Sequence, residues 1–416
     1  MGLSLDRLIF GPIICLALIP FNQLYLLRLG FVTLGLHELA IITIGVLSTV
    51  IILCRGARTE FLGMLLVWVF LSIGFFLMTP LINGARYTDA FRQIRSFLPF
   101  SAAMMLLVTP LRGSVEKALM LIVGASGVGA LVAIIIHFVF PAILETALAS
   151  NQEAVAISVV HGRLCWSNAV LTFVALAYLA TRQKRDAFLY ICCLLCVFGV
   201  LLTLNRTLPP FLVLFYVVAQ YFVRKKVSKT FAGLAALSLG AGVLIFWFAD
   251  DRYFDLFSLR FLGHGSLASI YERSILYGRA LVYERYLGIV MDTFPIGQGL
   301  GVPYFRTFVR NVYITDNSFL AFVLPFGVLG ASFFLYFIKN LWGASDKRLY
   351  GTEYDINLAC VLRIMIVMLL LVSLNIDVFS RNNMTVILAF LMSLLSSKKA
   401  NMFGPPTAHG QKGCND

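Results

Sequence analysis

Residues 36–54 read LHELAIITIGVLSTVIILC and residues 61–80 read FLGMLLVWVFLSIGFFLMTP, with only RGARTE between them. Each run is close to the ~20 apolar residues that a helix needs to cross about 30 Å of hydrocarbon. Such runs recur along the 416 residues, and 60% of the chain is hydrophobic, whereas a soluble domain has roughly 45–50% apolar residues. The sequence therefore predicts an all-α polytopic membrane protein and excludes a single soluble core.

The apolar runs predict about 12 transmembrane helices in a single integral membrane domain over residues 1–416. The runs lie near 8–27, 36–54, 61–80, 96–110, 116–140, 164–181, 187–204, 208–223, 230–248, 317–338, 357–375 and 383–396. One large hydrophilic loop, 249–316, separates the ninth and tenth spans, and 400–416 forms a short polar tail. Cys192, Cys193 and Cys196 lie in the seventh run without His or acidic neighbours and are interpreted as small buried hydrophobes.

Basic residues in the short loops predict the orientation, because Lys and Arg near span ends are retained on the cytoplasmic side. Alternate loops contain such residues, namely Arg55, Arg58, Arg112, Lys117, Arg182, Lys184, Arg185, Arg224, Lys225, Lys226, Lys229, Lys339, Lys347, Arg348, Lys398 and Lys399. Both termini are therefore expected in the cytoplasm. The loop 249–316 is expected on the outer face, which is the periplasm if the membrane is a bacterial inner membrane.

The basic residues assigned to the outer face are all arginines. They are Arg28, Arg86, Arg92, Arg95, Arg163, Arg206, Arg252, Arg260, Arg273, Arg279, Arg285, Arg306, Arg310 and Arg381. A guanidinium group offers a rigid fork of donors that suits phosphate or carboxylate. Two interpretations stay open: some of these arginines bind an anion held at the outer leaflet, or they pair with the Asp and Glu of the loop.

Arg206 is the most informative of these arginines. It lies between two apolar runs with only Asn205 and Thr207 as polar neighbours. An unpaired charge at this depth is costly, so the sequence predicts a partner for it. That partner is either a ligand phosphate or an acid from the outer loop, and a purely structural ion pair stays open.

The outer loop contains a predicted helix at about 269–293, followed by the glycine-rich turn PIGQGLG at 295–301. Glu272 and Arg279 lie two turns apart on one face of this helix. The helix either contributes to substrate binding or is an amphipathic helix on the membrane surface. The three alternating glycines predict close backbone approach or positive φ angles.

Asp316 lies where the outer loop re-enters the membrane and is followed by Asn317 and Ser318. An acid at this interface is positioned to accept a proton from a hydroxyl group that arrives from the aqueous side. The alternative role is that of a helix N-cap, in which an aspartate satisfies free N–H groups.

Four segments, in their order along the chain, resemble the bacterial O-antigen polymerase and O-antigen ligase superfamily of lipid-linked glycan transferases. They extend over about the middle half of the chain. The segments are Gly162-Arg163 with Asn168, Leu202-Thr203-Leu204-Asn205-Arg206, Gly278-Arg279 with the turn 295–301, and Asp316-Asn317-Ser318-Phe319-Leu320 followed by Gly327 and Gly330.

The resemblance implies transfer of glycans from undecaprenyl pyrophosphate at the outer face of the inner membrane, without a metal or another cofactor. The pyrophosphate-binding arginines of the family correspond to Arg206 and Arg279, with Arg163 as a third candidate. The chain departs from the family at Asn205, where serine is common. It departs again at Asp316, where ligases usually have histidine, and this difference favours a polymerase.

The expected reaction is the attack of an acceptor sugar hydroxyl on the anomeric carbon of the lipid-linked glycan. Arg206 and Arg279 would neutralise the leaving pyrophosphate, and either Asp316 or Glu272 would remove the proton. The expected partners are the lipid-linked glycan, membrane lipid and other polysaccharide-assembly proteins, with no nucleic acid. The alternatives are a ligase that transfers glycan to the lipid A core of lipopolysaccharide and a lipid-linked glycan flippase or transporter. The absence of a pair of broken spans in the sequence weakens the transporter alternative.

Overall fold

The computed structural model is predominantly helical. It describes residues 5–20, 25–29, 32–140, 164, 166–181, 186–203, 208–224, 284–303, 305–306, 311–312, 317–346, 352–374, 376–380 and 382–402.

Two short β-hairpins accompany the helices, and a 3₁₀ turn (Ala169–Leu171) precedes α7. In chain order the elements are α1 (Leu5–Leu18), β1 (Tyr25–Leu29), β2 (Val32–Gly35), α2 (Leu36–Arg55), α3 (Thr59–Asn83), α4 (Tyr87–Arg95), α5 (Leu98–Val108), α6 (Val115–Val139), α7 (Thr172–Thr181), α8 (Ala187–Leu202), α9 (Leu208–Arg224), α10 (284–293), β3 (Phe305–Arg306), β4 (Asn311–Val312), α11 (Ser318–Ala344), α12 (Glu353–Val372) and α13 (Asn383–Met402).

By length and composition, five helices in the described part of the chain could cross a membrane, namely α2, α3, α6, α11 and α12, although α11 is interrupted at Gly327. Shorter apolar helices accompany them at 98–108, 169–181, 187–202, 208–223 and 383–396. These helices support the prediction of a polytopic membrane protein. The ninth predicted span, 230–248, lies outside the described residues, and every other predicted span overlaps a helix.

The first predicted span, 8–27, is wrong in its extent. Helix α1 ends at Leu18, and Tyr25–Leu29 pairs antiparallel with Val32–Gly35. Pro20 follows Ile19, and the residue before a proline is disfavoured in the helical conformation. With 14 residues, α1 is only about 21 Å long, so it ends well short of the opposite side of a bilayer.

The tenth predicted span, 317–338, is a broken helix rather than a continuous one. Gly327 has φ 57° and ψ −140°, and Pro325 precedes it. The Phe322 and Phe334 rings stack with centroids 5.1 Å apart, although residues twelve apart in a straight helix are separated by about 18 Å. The segments 318–326 and 328–344 therefore fold back against each other at Gly327, which we call the helix reversal.

An aromatic cluster packs the helix reversal against α3 and α5. Trp68 of α3 stacks on Phe333, with centroids 5.4 Å apart, and meets Phe100 of α5 edge-on at 4.9 Å. Its Nε1 donates to Ser101 Oγ at 2.9 Å, which satisfies the one polar atom of the indole. The contact with Phe322 brings the first segment of α11 into the same cluster.

Three arginines that the charge pattern assigns to the cytoplasm form hydrogen bonds at the same end of the helices. Arg55 donates to Asp6 at 2.7 Å, and the backbone N–H of Arg112 donates to the same carboxylate at 3.1 Å. Arg58 donates to the carbonyl oxygen of Ser393 at 2.8 Å. Arg55, Arg58 and Arg112 therefore lie at the same end of the helices, and their cytoplasmic orientation stays a prediction.

Cys192, Cys193 and Cys196 are free thiols at the interior of the bundle and are buried, as predicted. Gly127 of α6 lies so close to Cys192 that a Cβ at this glycine would overlap it. The small side chain of Cys192 and the absence of a side chain at Gly127 together allow α6 and α8 to pack closely.

Candidate functional site

The residues that the sequence assigns to chemistry lie outside the described residues. These are the pyrophosphate-binding candidates Arg163, Arg206 and Arg279 and the acids Glu272 and Asp316. Described residues directly follow Arg163 and Asp316 and lie within three positions of Arg206 on either side, and these described segments contact one another.

The segments that carry Arg163 and Arg206 are joined by a backbone hydrogen bond. The N–H of Leu164 donates to the carbonyl oxygen of Leu202 at 3.1 Å. Leu164 directly follows Arg163, and Leu202 precedes Arg206 by four residues. Two of the four motifs, which are about forty positions apart in sequence, therefore have neighbouring backbones.

Asn168, in the first of these motifs, is completely buried and caps the end of α1. Its Nδ2 donates to the carbonyl oxygens of Leu16 at 2.7 Å and Ile19 at 2.8 Å. The last carbonyls of a helix have no partner within the helix, so a buried helix end needs such donors. Asn383, the first residue of α13, donates to Asn168 Oδ1 at 3.1 Å and adds a second buried amide.

Asp377 is a buried acid in the connection between α12 and α13, and only 5% of it is exposed. Ser318 Oγ donates to Asp377 Oδ1 at 2.9 Å and accepts from the backbone N–H of Val378, also at 2.9 Å. Ser380 donates to the same carboxylate through its backbone N–H at 3.1 Å and through its hydroxyl. Burial of a carboxylate is costly, and these donors offset part of that cost.

Asp377 was missed in the sequence interpretation, which placed the outer acids in the long loop. The signal was present: residues 375–383 read NIDVFSRNN, a short polar interruption between two apolar runs. The structure joins this interruption to the re-entry motif, because the N–H of Ser318 also donates to the carbonyl oxygen of Ser373 at 3.0 Å. The start of α11, which follows Asp316 in sequence, is thus held at the region around Asp377.

These buried polar residues, Asn168, Ser318, Asp377, Ser380 and Asn383, form a group that we call the polar recess. Its depth follows from α3 and α5, which run in opposite directions: the N–H of Arg58, at the start of α3, donates to the carbonyl oxygen of Val108, the last residue of α5. From the Trp68–Ser101 contact toward the opposite end of this pair, α5 has three more residues, back to Leu98, and α3 has fifteen, up to Asn83. At this end α3 therefore extends roughly 18 Å further than α5. Because Phe322, one turn after Ser318, contacts Trp68, the recess lies far from the end of α3 at Asn83.

The glycine turn 295–301 fills the gap at the helix reversal. Gln298 N–H donates to the carbonyl oxygen of Leu324 at 2.9 Å, and Gly299 N–H donates to that of Pro325 at 3.2 Å. In return, Val328 N–H donates to the carbonyl oxygen of Pro295 at 2.9 Å. The turn therefore pairs with backbone groups that the broken helix leaves without helical partners.

The glycines of this turn have the conformation that the sequence predicts. Gly297, Gly299 and Gly301 all have positive φ, at 85°, 78° and 81°. Gly297 also packs directly on Gly327, where a Cβ would overlap the carbonyl oxygen of Pro295. Both predicted properties, positive φ and close backbone approach, are confirmed.

The ends of α3 and α4 hold the other side of the glycine turn. Asn83, the last residue of α3, donates from Nδ2 to the carbonyl oxygens of Gln298 at 2.8 Å and Leu300 at 2.9 Å. Gln93 of α4 accepts from the N–H of Gly301 at 2.7 Å. The turn is therefore fixed between α3, α4 and the helix reversal. Of the predicted helix 269–293, residues 284–293 are helical and the rest lies outside the described residues.

Two of the outer arginines pair with acids. The guanidinium group of Arg95 forms an ion pair with Glu38, in which Nε lies 2.6 Å from Oε1, and Glu38 is buried. Arg92 lies 3.3 Å from Asp89 on the exposed face of α4. For these two residues the structure favours pairing with an acid over binding of an anionic ligand.

The described segments bring three of the four motif regions around a polar recess. No group of three or more His, Cys, Asp or Glu side chains that could hold a metal ion occurs among the described residues. Comparison with protein-family models gives no match for this sequence, and comparison with curated proteins gives none.

Proposed function

We propose that this chain is a metal-independent membrane glycosyltransferase. In this proposal it polymerises undecaprenyl-pyrophosphate-linked repeat units of an O antigen, a capsule or an exopolysaccharide on the periplasmic face of a bacterial inner membrane. The single observation that carries the proposal is the polar recess, which contains Asn168 and Ser318 from the motifs of Arg163 and Asp316. The Leu164–Leu202 backbone bond adds the motif of Arg206 to it. The topology of about 12 spans with cytoplasmic termini belongs to this proposal.

The proposed chemistry needs two kinds of group near one another. The acceptor hydroxyl forms a C–O bond with the anomeric carbon, and the bond from that carbon to the pyrophosphate breaks. Arginines stabilise the negative charge that develops on the departing lipid pyrophosphate. A carboxylate accepts the hydroxyl proton, and Asp316 and Glu272 are the candidates for this role.

Asp377 is assigned a positioning role in this scheme. It accepts from Ser318 and therefore holds the start of α11, two residues after Asp316. Asp377→Asn keeps the size of the side chain but removes its negative charge and replaces Oδ2 with an NH₂ group, so the Ser380 hydroxyl loses the oxygen to which it donates. We expect this variant to make less polymer, whereas Asp292→Asn, at an exposed acid of α10, should make as much as the parent.

The decisive experiment incubates the purified protein in lipid nanodiscs with a lipid-linked repeat unit and separates the products on a gel. A ladder of lengthened glycans supports a polymerase. Transfer of glycan only when lipid A core is added would make the protein a ligase. Movement of the lipid-linked repeat across a proteoliposome membrane without any new glycosidic bond would make it a flippase and refute the enzyme proposal.

A further inference from the structure

Five large apolar residues form an exposed group around the glycine turn and the helix reversal. We call this group the apolar tip. Its members and their exposed fractions are Met291 (79%), Phe294 (69%), Ile296 (58%), Val328 (42%) and Leu329 (60%). Contiguous exposed apolar surface of this kind indicates contact with a partner or a membrane.

The apolar tip is held together by rigid backbone. Val328 N–H donates to the carbonyl oxygen of Pro295, between Phe294 and Ile296. Gly297 packs against Gly327 directly beside these residues. On the opposite face of α10, Tyr286 packs against Leu324 of the reversal. The backbone positions that carry Phe294, Ile296 and Val328 are therefore fixed relative to one another.

The apolar tip continues a surface that faces lipid. Helix α3 is the least buried of the five long apolar helices, with 22% of its apolar window inside the protein against 33–56% for the others. Near its end, Leu77 and Leu81 are 58% and 79% exposed. Asn83, two residues further, donates to the glycine turn. The tip therefore begins where the exposed apolar face of α3 ends.

The length of α3 gives the depth of this surface. Its 25 residues extend over about 37 Å, whereas the hydrocarbon core is about 30 Å thick. With Arg58 and Glu60 at its first end, the last turn containing Asn83 falls near the boundary between acyl chains and headgroups. The glycine turn, bound to Asn83, lies at the same depth.

We infer that the apolar tip is immersed in the leaflet at this end of α3, with lipid acyl chains as its partner. The C-terminal part of the long hydrophilic loop then lies in the membrane interface rather than in water. Amphipathic segments of this kind bind a lipid surface through buried apolar area. The charged residues Glu284 and Asp292 are exposed on α10 and would lie toward the headgroups and water.

The test measures lipid and water accessibility at single spin labels on the purified full-length chain in liposomes. Cysteines are placed at 294, 296 and 329 for the tip and at 284 and 292 as exposed controls, in a background whose native cysteines are replaced by alanine and whose melting temperature matches that of the parent. Oxygen partitions into acyl chains, and a nickel chelate stays in water. We expect oxygen to relax the tip labels several-fold more than the chelate does, with the reverse order at the controls.

Two results would overturn the inference. If the nickel chelate relaxes the tip labels as strongly as the control labels, the tip lies in water. If both reagents fail to reach the tip, protein covers it; loss of this shielding on dilution to one chain per liposome would then identify a second copy as the cover. A conservative substitution, Phe294→Trp, gives an independent reading, because brominated acyl chains should quench its fluorescence more than that of a tryptophan at 292.

Discussion

The substitution Gly327→Ala should destabilise the protein, because Gly327 combines a positive φ with direct backbone contact. The conformation at φ 57° and ψ −140° costs a residue with a side chain on the order of 1–3 kcal/mol. The added Cβ would overlap the carbonyl oxygen of Pro295, so the glycine turn must move away. Its three backbone bonds to the reversal contribute roughly 0.5–1.5 kcal/mol each.

The expected loss is therefore about 3–7 kcal/mol, or a fall in melting temperature of roughly 3–8 °C for a chain of 416 residues. The assay follows thermal unfolding in detergent with a thiol-reactive dye, because the buried Cys192, Cys193 and Cys196 react only after unfolding. Gly343→Ala is the matched control in the same helix, since nothing lies within 4 Å of a Cβ at Gly343. In an exposed helix interior alanine is favoured by up to about 1 kcal/mol. Equal melting temperatures for the two variants would refute the contact between turn and reversal.

Three other predictions test topology and chemistry. A cysteine that replaces Gly265 should react with an impermeant probe from outside, whereas one that replaces Lys347 should be protected, because short-loop charges place 347 in the cytoplasm; the opposite pattern would invert the orientation. Arg206→Lys and Arg279→Lys should each abolish most glycan transfer in folded, inserted protein, because lysine keeps the charge but loses the fork; parent-like turnover in both would rule out bidentate binding. Asp316→Asn should slow turnover roughly 10²–10⁴-fold with an unchanged melting temperature, because asparagine cannot accept the proton and the N-cap of α11 is Asn317 rather than the predicted Asp316; normal turnover would exclude Asp316 as the base and leave Glu272.

Helix positions were readable from the sequence because each depends on a local run of apolar residues. The run 61–80 predicts α3, which the structure extends to Thr59–Asn83. Local capping signals agree with the ends: Gly84 adopts a left-handed conformation after α3, and Asp186 accepts from the N–H groups that open α8. In a membrane a helix satisfies the hydrogen bonds of its own backbone, so a long apolar run has few alternative conformations.

The helix reversal could not be predicted from the run 317–338 itself. Proline and glycine occur in many continuous membrane helices, so Pro325 and Gly327 do not mark a break by themselves. What stabilises the break is the glycine turn about thirty residues earlier, which supplies the missing hydrogen-bond partners. The positive φ of the turn glycines was predictable, whereas their docking on Gly327 depends on two distant segments meeting.

The sequence by itself determined that this protein is built from apolar helices suited to a membrane and where most of them lie, because hydropathy acts over one span. Only the tertiary structure decided how deep the polar recess lies and which residues form it. The pairing of Asn168 with Asn383 joins residues 215 positions apart. Asp377, in the connection between α12 and α13, acts as a hydrogen-bond acceptor for Ser318 at the start of α11. A buried amide or carboxylate needs partners, and which segments supply them is determined only when the helices pack together.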